Sequence, residues 1–137
     1  MLRTFCLMNH ALTQKQVLEL QERFGTRTVV RPPKELSERW GQILPAPEAD
    51  REAIACAVAW LSSAQKGDAF IVQGEAGATF TLVDYALKNG LVVLHAVTRR
   101  VSHEVRAGER VQKQNVFEHV CFREYEYFSR ELSIIAG

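Results

Sequence analysis

Residues 74–79, Gly74-Glu75-Ala76-Gly77-Ala78-Thr79, join an apolar run, Asp68-Ala-Phe-Ile-Val-Gln73, to a helix-like segment from Thr79 to Asn89. Strand, glycine turn and helix in that order form the repeating unit of α/β sheets. Gly74 and Gly77 lack a Cβ, so the backbone is free to bend through positive φ and bring its N–H groups close to a ligand. The following helix would aim the positive end of its dipole at the same point. Phosphate or carboxylate suits such a turn, and so does a plain connection whose glycines serve tight packing. The spacing is neither G-x-x-x-x-G-K-S/T nor the full G-x-G-x-x-G, so neither ATP hydrolysis nor NAD binding follows.

Outward from this unit, the elements alternate. Leu2 to Met8 reads as a strand. Thr13 and Gln16 then make a T-x-x-Q capping box that opens a helix with Val17, Leu20 and Phe24 on one face, closed by Gly25. Thr26 to Arg31 reads as a second strand, stopped by Pro32 and Pro33. A short helix over residues 34–42 and a longer one over 48–65, with Ile54, Val58 and Leu61 inward, lead to the strand Asp68 to Gln73. In the helix that follows, Phe80, Val83 and Leu87 are expected to face inward and Gly90 to end it. Leu91 to Val97 makes a fourth strand, whose run Leu91-Val-Val-Leu94 suggests burial on both faces. Beyond residue 98 the chain reads as extended, with a turn at Ala107-Gly108-Glu109 and a returning strand from Val116 to Tyr127. The expected fold is α/β: one Rossmann-like domain over residues 1–137, with a mostly parallel sheet, helices on both faces, and residues 98–137 as a hairpin extension.

Length and composition agree with that reading. A chain of 137 residues with 47% apolar and 24% charged residues is a single globular domain. No run approaches the length of a membrane span, and Arg3 and Thr4 interrupt the apolar N-terminus, so neither a membrane nor a signal peptide is expected and the protein is read as cytoplasmic. Cys6, Cys56 and Cys121 are widely spaced in apolar surroundings and read as reduced core residues, with no metal role. A formal net charge of +1 argues against salt-driven binding of duplex DNA. Locally, residues 99–113 carry Arg99, Arg100, Arg106, Arg110 and Lys113 against Glu104 and Glu109. Arginine outnumbers lysine 12 to 5 over the chain, which suits bidentate phosphate contacts.

In parallel sheets ligands bind beyond the carboxyl ends of the strands. That rule gathers Asn9-His10, the glycine turn, and Thr98-Arg99-Arg100. The runs Met8-Asn-His-Ala-Leu-Thr-Gln-Lys-Gln16, Gln73-Gly-Glu-Ala-Gly-Ala-Thr-Phe80, Thr98-Arg-Arg-Val-Ser-His-Glu104 and Phe117-Glu-His-Val-Cys-Phe-Arg-Glu-Tyr125 resemble, in order along nearly the whole chain, a small CRISPR-associated family of type III systems, the one numbered twenty in the Csx series. The resemblance implies a CARF-like Rossmann domain acting as a ring nuclease on cyclic oligoadenylate, most readily cyclic tetra-adenylate. It also implies a homodimer, no cofactor, and metal-independent attack of a ribose 2′-OH on its neighbouring phosphate.

Within that expectation His10, Arg99 and Arg100 are the catalytic candidates. His10 would move a proton, or else hydrogen-bond backbone or adenine. Arg99 and Arg100 would neutralise phosphate, with alternation turning only one of them to the ligand. Asn9 and Thr98, the turn residues Gly74, Glu75, Gly77, Ala78 and Thr79, and Glu104 complete the expected ligand-binding set. Thr79 is also readable as a simple N-cap and Glu104 as a surface ion-pair partner. His95 reads as a core residue, while His103, His119 and Arg123 are open. A non-cleaving cyclic-oligoadenylate sensor or sponge is the alternative function.

Overall fold

Short β-branched and aromatic runs separated by amphipathic helices build a mixed α/β architecture. The computed structural model describes residues 2–129. Its elements are β1 (Arg3–Leu7), α1 (Gln14–Phe24), β2 (Thr28–Val30), α2 (Lys34–Trp40), α3 (Arg51–Leu61), β3 (Ala69–Val72), α4 (Ala76–Lys88), β4 (Val92–Ala107) and β5 (Arg110–Glu124). One sheet runs in the order β2-β1-β3-β4-β5. Its first four strands are parallel, and β5 is antiparallel to β4, so the sheet is partly antiparallel. Of the hairpin extension expected over 98–137, residues 130–137 lie outside the described residues.

Side-chain alternation divides the core into two clusters, one on each face of the sheet. Phe5, Leu7, Phe70, Val72 and Val93 pack against Leu36 and Trp40 of α2, Ala57 and Leu61 of α3, and Leu82 and Ala86 of α4. Cys6, Met8, Ile71 and Leu94 turn to the opposite face and meet Leu20 of α1 and Phe122 of β5. Burial pushes the Cys6 thiol up to about 11, the nearby Arg31 charge opposing it, and all three cysteines are free.

Local chemistry explains the element ends. Thr13 and Gln16 form the capping box at the start of α1, and Gly25 closes the helix at φ 65. In α3 the fully buried stripe is Ala53, Ala57 and Leu61, while the expected Ile54 and Val58 are only partly buried. The larger helix in this region spans Arg51–Leu61 because Asp50 accepts the Ala53 N–H and so caps its start.

Other expected boundaries are corrected too, and the returning strand expected from Val116 already begins at Arg110. Helix α4 begins at Ala76, not Thr79, because the Glu75 carboxylate accepts the N–H groups of Gly77 and Ala78 and caps the helix there. Ala78, Leu82, Val83 and Ala86 then face inward, and Phe80, 200° around the helix from Ala78, is 75% exposed. The fourth strand also runs on to Ala107, pairing with β5 as a hairpin that turns at Gly108 (φ 69). A glycine at the first position of a two-residue loop matches the twist of the paired strands. Residues 98–107 stand beyond the parallel sheet and extend about 33 Å.

At the amino end of β3, buried Asp68 ties β1 to the sheet. Its carboxylate accepts the Arg3 N–H (3.0 Å), the Arg3 guanidinium (3.2 Å) and the Gln65 N–H (2.9 Å). Burial raises the Asp68 pKa, but these donors outweigh burial and hold it below the ordinary aspartate value. A depressed folded pKa contributes stability above the unfolded value of about 3.9, and that contribution is lost as pH falls through the folded value. Asp68→Asn is therefore expected to destabilise the protein at pH 7 by about 1–3 kcal/mol and to flatten the acid limb of stability against pH. Urea melts from pH 7 to 3 measure both, and an unchanged acid limb would remove Asp68 from this role.

Candidate functional site

The chain leaves β1 for β2 on one side and β3 for β4 on the other, so the connections diverge between β1 and β3. Such a divergence opens a crevice at the carboxyl ends of the strands. Three adjoining hollows lie along this edge. One of about 250 Å³ is bounded by Asn9, His10 and Arg31, after β1 and β2. A second, of about 440 Å³, lies between α1 and the base of the hairpin and is lined by His10, Thr13, Gln16, Gln73, Ala96, Thr98, Phe117 and His119. The third, of about 430 Å³, occupies the other side of the hairpin against α4, with Gln73, Gly74, Thr79, Phe80, His95 and Tyr125. His10 borders the first two, while Gln73 and Ala96 border the last two.

Of the residues expected from sequence, Asn9, His10, Gly74, Thr79 and Thr98 therefore share this edge. Glu75, Gly77, Ala78, Arg99, Arg100 and Glu104 line none of these three hollows. Arg99 pairs with Glu118 across the hairpin at 3.3 Å, and Arg100 and Glu104 are exposed farther along it, Glu104 opposite Lys113. Alternation does turn Arg99 and Arg100 to opposite faces.

The glycine turn also differs from the expectation. Neither Gly74 nor Gly77 has a positive φ. Gly74 is required by Trp40: a Cβ there would come within 2.6 Å of the indole, whose Nε1 donates to the Gln73 carbonyl at 2.9 Å. The amides of Gly77 and Ala78 already hold the Glu75 carboxylate, and their two hydrogen bonds depress its pKa. The expected anion cradle is thus occupied by the chain's own anion. Thr79 lies inside the first turn of α4 and is not a cap; its Oγ1 is buried without a hydrogen-bond partner among the described residues.

The hairpin's base is fastened to α1 at a bulge, where Val97 pairs with Cys121 and Thr98 with His119, leaving Val120 unpaired. Glu19 accepts from His119 Nε2 at 2.7 Å, from the Phe122 N–H at 2.7 Å and from Arg23. Arg23 also donates to the Phe122 carbonyl at 2.8 Å, and Lys15 to the His119 carbonyl at 3.1 Å. Gln16 Oε1 accepts the Thr13 N–H, which turns Nε2 toward His119 Nδ1, 3.2 Å away. An amide nitrogen only donates, so in this arrangement Nδ1 accepts from Gln16 and Nε2 donates to Glu19. Burial raises the Glu19 pKa, but hydrogen bonds from His119, Phe122 and Arg23 hold it below the ordinary value. On the other side of the hairpin, burial and the Arg123 charge lower the pKa of His95, which tilts against Tyr125 at 4.7 Å between ring centres.

Several members of this edge were not selected from sequence. Arg31 could have been, because the rule that picked Asn9-His10 applies equally to the end of β2. Gln16 was visible only as a cap, and Glu19, one turn on, shares its face. His95, Phe117, His119 and Tyr125 become site residues through the β4–β5 register, which periodicity does not supply. Among the described residues, no group of three or more His, Cys, Asp or Glu side chains is arranged to hold a metal ion.

Glu19→Gln is expected to destabilise the protein by about 1–3 kcal/mol, since it leaves buried donors poorly matched. Amide exchange at Phe122 should accelerate more than exchange in β3. Equal acceleration throughout would mean that Glu19 stabilises the fold globally and does not fasten the hairpin in particular.

No solved structure matches the chain. A protein of Methanocaldococcus jannaschii described as Uncharacterized protein MJ1673 is 26% identical to it over 124 residues, which cover 90% of this chain and 96% of that one. A family model matches residues 2–123, from β1 into β5, and the chain belongs to the family which that model describes, the Uncharacterized protein MJ1673 family.

Proposed function

We propose that this protein is a ring nuclease that binds cyclic oligoadenylate, most readily cyclic tetra-adenylate, on a single CARF-like Rossmann domain and opens it to end type III CRISPR signalling. One observation carries the reading: His10 stands exposed where two hollows of the divergent sheet edge meet, and makes no hydrogen bond among the described residues. The resemblance of four ordered segments to such nucleases supports it. In this reaction the 2′-oxygen bonds to the adjacent phosphorus and the P–O5′ bond breaks. The 2′-OH proton passes to His10, and the departing 5′-oxygen gains a proton, giving a 2′,3′-cyclic phosphate and a 5′-OH. Arg31, which borders the hollow beside His10 and has no ion-pair partner among the described residues, replaces Arg99 and Arg100 as the cation for phosphate. The proposed molecule is a cytoplasmic homodimer, whose two-fold axis would present equal groups to opposite phosphates of a symmetric ring.

A non-cleaving sensor is the second reading. It is favoured by the Glu75 cap and the Arg99–Glu118 pair, which leave fewer groups to take up charge on the phosphoryl oxygens. Incubation with cyclic tri-, tetra- and hexa-adenylate in EDTA, followed by mass analysis, separates the two: opened rings support the nuclease, and intact bound rings support the sensor.

Two variants extend the test. His10→Ala is expected to slow ring opening by roughly a hundredfold with affinity nearly intact, because a proton-transfer group acts in the transition state. Parallel loss of affinity and rate would instead make His10 a ligand contact. Arg31→Ala is expected to weaken cyclic tetra-adenylate binding by roughly tenfold or more, whereas Arg99→Ala changes it less than about threefold. The reverse order in titration calorimetry would return the phosphate role to the hairpin.

A further inference from the structure

Two aromatic rings stand open at the edge, each beside a different hollow: Phe117, 69% exposed, and Phe80, 75% exposed. Both hollows also present polar groups with unused hydrogen-bonding capacity. Beside Phe117, Gln16 is only 5% exposed; one amide N–H donates to His119, and the other has no acceptor among the described residues. Beside Phe80, the buried Thr79 hydroxyl has no hydrogen-bond partner among the described residues. A helical threonine ordinarily bonds a carbonyl one turn back, as Thr81 does to Gly77 at 3.0 Å, so Thr79 is the exception.

An open aromatic face next to buried, unsatisfied donors and acceptors fits a planar ligand with apolar faces and a polar rim. Nucleobases have that form, and proteins commonly hold unpaired bases by stacking them on aromatic side chains while hydrogen-bonding their edges. The two hollows adjoin at Gln73 and Ala96, and the Gln73 side-chain amide has no partner among the described residues. We propose that Phe117 and Phe80 are base-stacking residues, so that the sheet edge takes an oligonucleotide with one base in each hollow and the linking sugar-phosphate across Gln73. The inference rests on the nucleotide reading above but not on ring opening.

The probe is a linear tri-adenylate carrying 2-aminopurine, whose fluorescence is quenched on stacking, titrated in EDTA against the full chain. Wild-type protein is expected to quench it saturably, and unlabelled oligoadenylate to compete far better than an abasic strand of equal length. Phe117→Leu and Phe80→Leu keep apolar bulk but lose the ring, so each should weaken binding by roughly tenfold or more, while Phe117→Trp stays within about threefold of wild type. Leucine variants that bind like wild type overturn the proposal. So does a wild-type protein that quenches nothing, or a Phe117→Leu variant that alters only self-association in gel filtration, which would mark Phe117 as a contact with a second copy. Ring-dependent quenching by a protein that leaves cyclic tetra-adenylate intact supports the stacking proposal and overturns ring opening alone.

Discussion

A single carboxylate joins two parts of the chain about a hundred residues apart. Glu19, on α1, accepts from the imidazole of His119 and from the Phe122 backbone at the bulge in β5. A bulge disrupts a strand's regular pairing, and a two-stranded ribbon in water is at best marginally stable. Here the hydrogen-bonding capacity of the bulged region is taken up by α1, whose Lys15 and Arg23 also reach the β5 carbonyls. The same contacts fix the positions of Thr98, Phe117 and His119 relative to His10. The middle hollow exists because the helix after β1 and the base of the hairpin are held at a set distance.

Much of the fold was legible because its signals are local. The capping box at Thr13 and Gln16, the left-handed glycine at Gly25 and the alternating apolar runs each act within a few residues, and each appears where expected. The errors lie where a distant or unusual partner decides. Thr79 looked like the cap of α4 because threonine is a common cap, whereas Glu75 caps the helix earlier by reaching two and three residues ahead to the Gly77 and Ala78 amides. Gly74 looked like a ligand's approach, but Trp40, thirty-four positions earlier, occupies that space. Phe80 looked like core because it is apolar and lies three residues before Val83, whereas the buried stripe is Ala78, Leu82, Val83 and Ala86, which leaves Phe80 on the open side.

The outline of the candidate site was legible, whereas the surroundings of its charged members depend on neighbours distant in sequence. The rule about strand ends gathers His10, Thr98 and Gly74, each of which borders a hollow at one edge. Local positive charge was a poorer guide. Arg99 has a carboxylate beside it only because of the β4–β5 register, which depends on the turn at Gly108 and the slip at Val120. Arg31 lies in a stretch, residues 23–34, that also holds Arg23, Arg27 and Lys34 and no acidic residue; it has no ion-pair partner among the described residues and borders a hollow. What separates the two arginines is the identity of their neighbours in space.

The length of the hairpin gives its fastening mechanical importance. Residues 98–107 extend about 33 Å from the bulge, so a rotation of about 10° at that point displaces the tip by about 6 Å. The shift at the pivot itself would be smaller than a bond length. The ribbon has the geometry of a lever whose short arm lies among Gln16, Glu19 and His119, so a small rotation there would be greatly enlarged at Gly108.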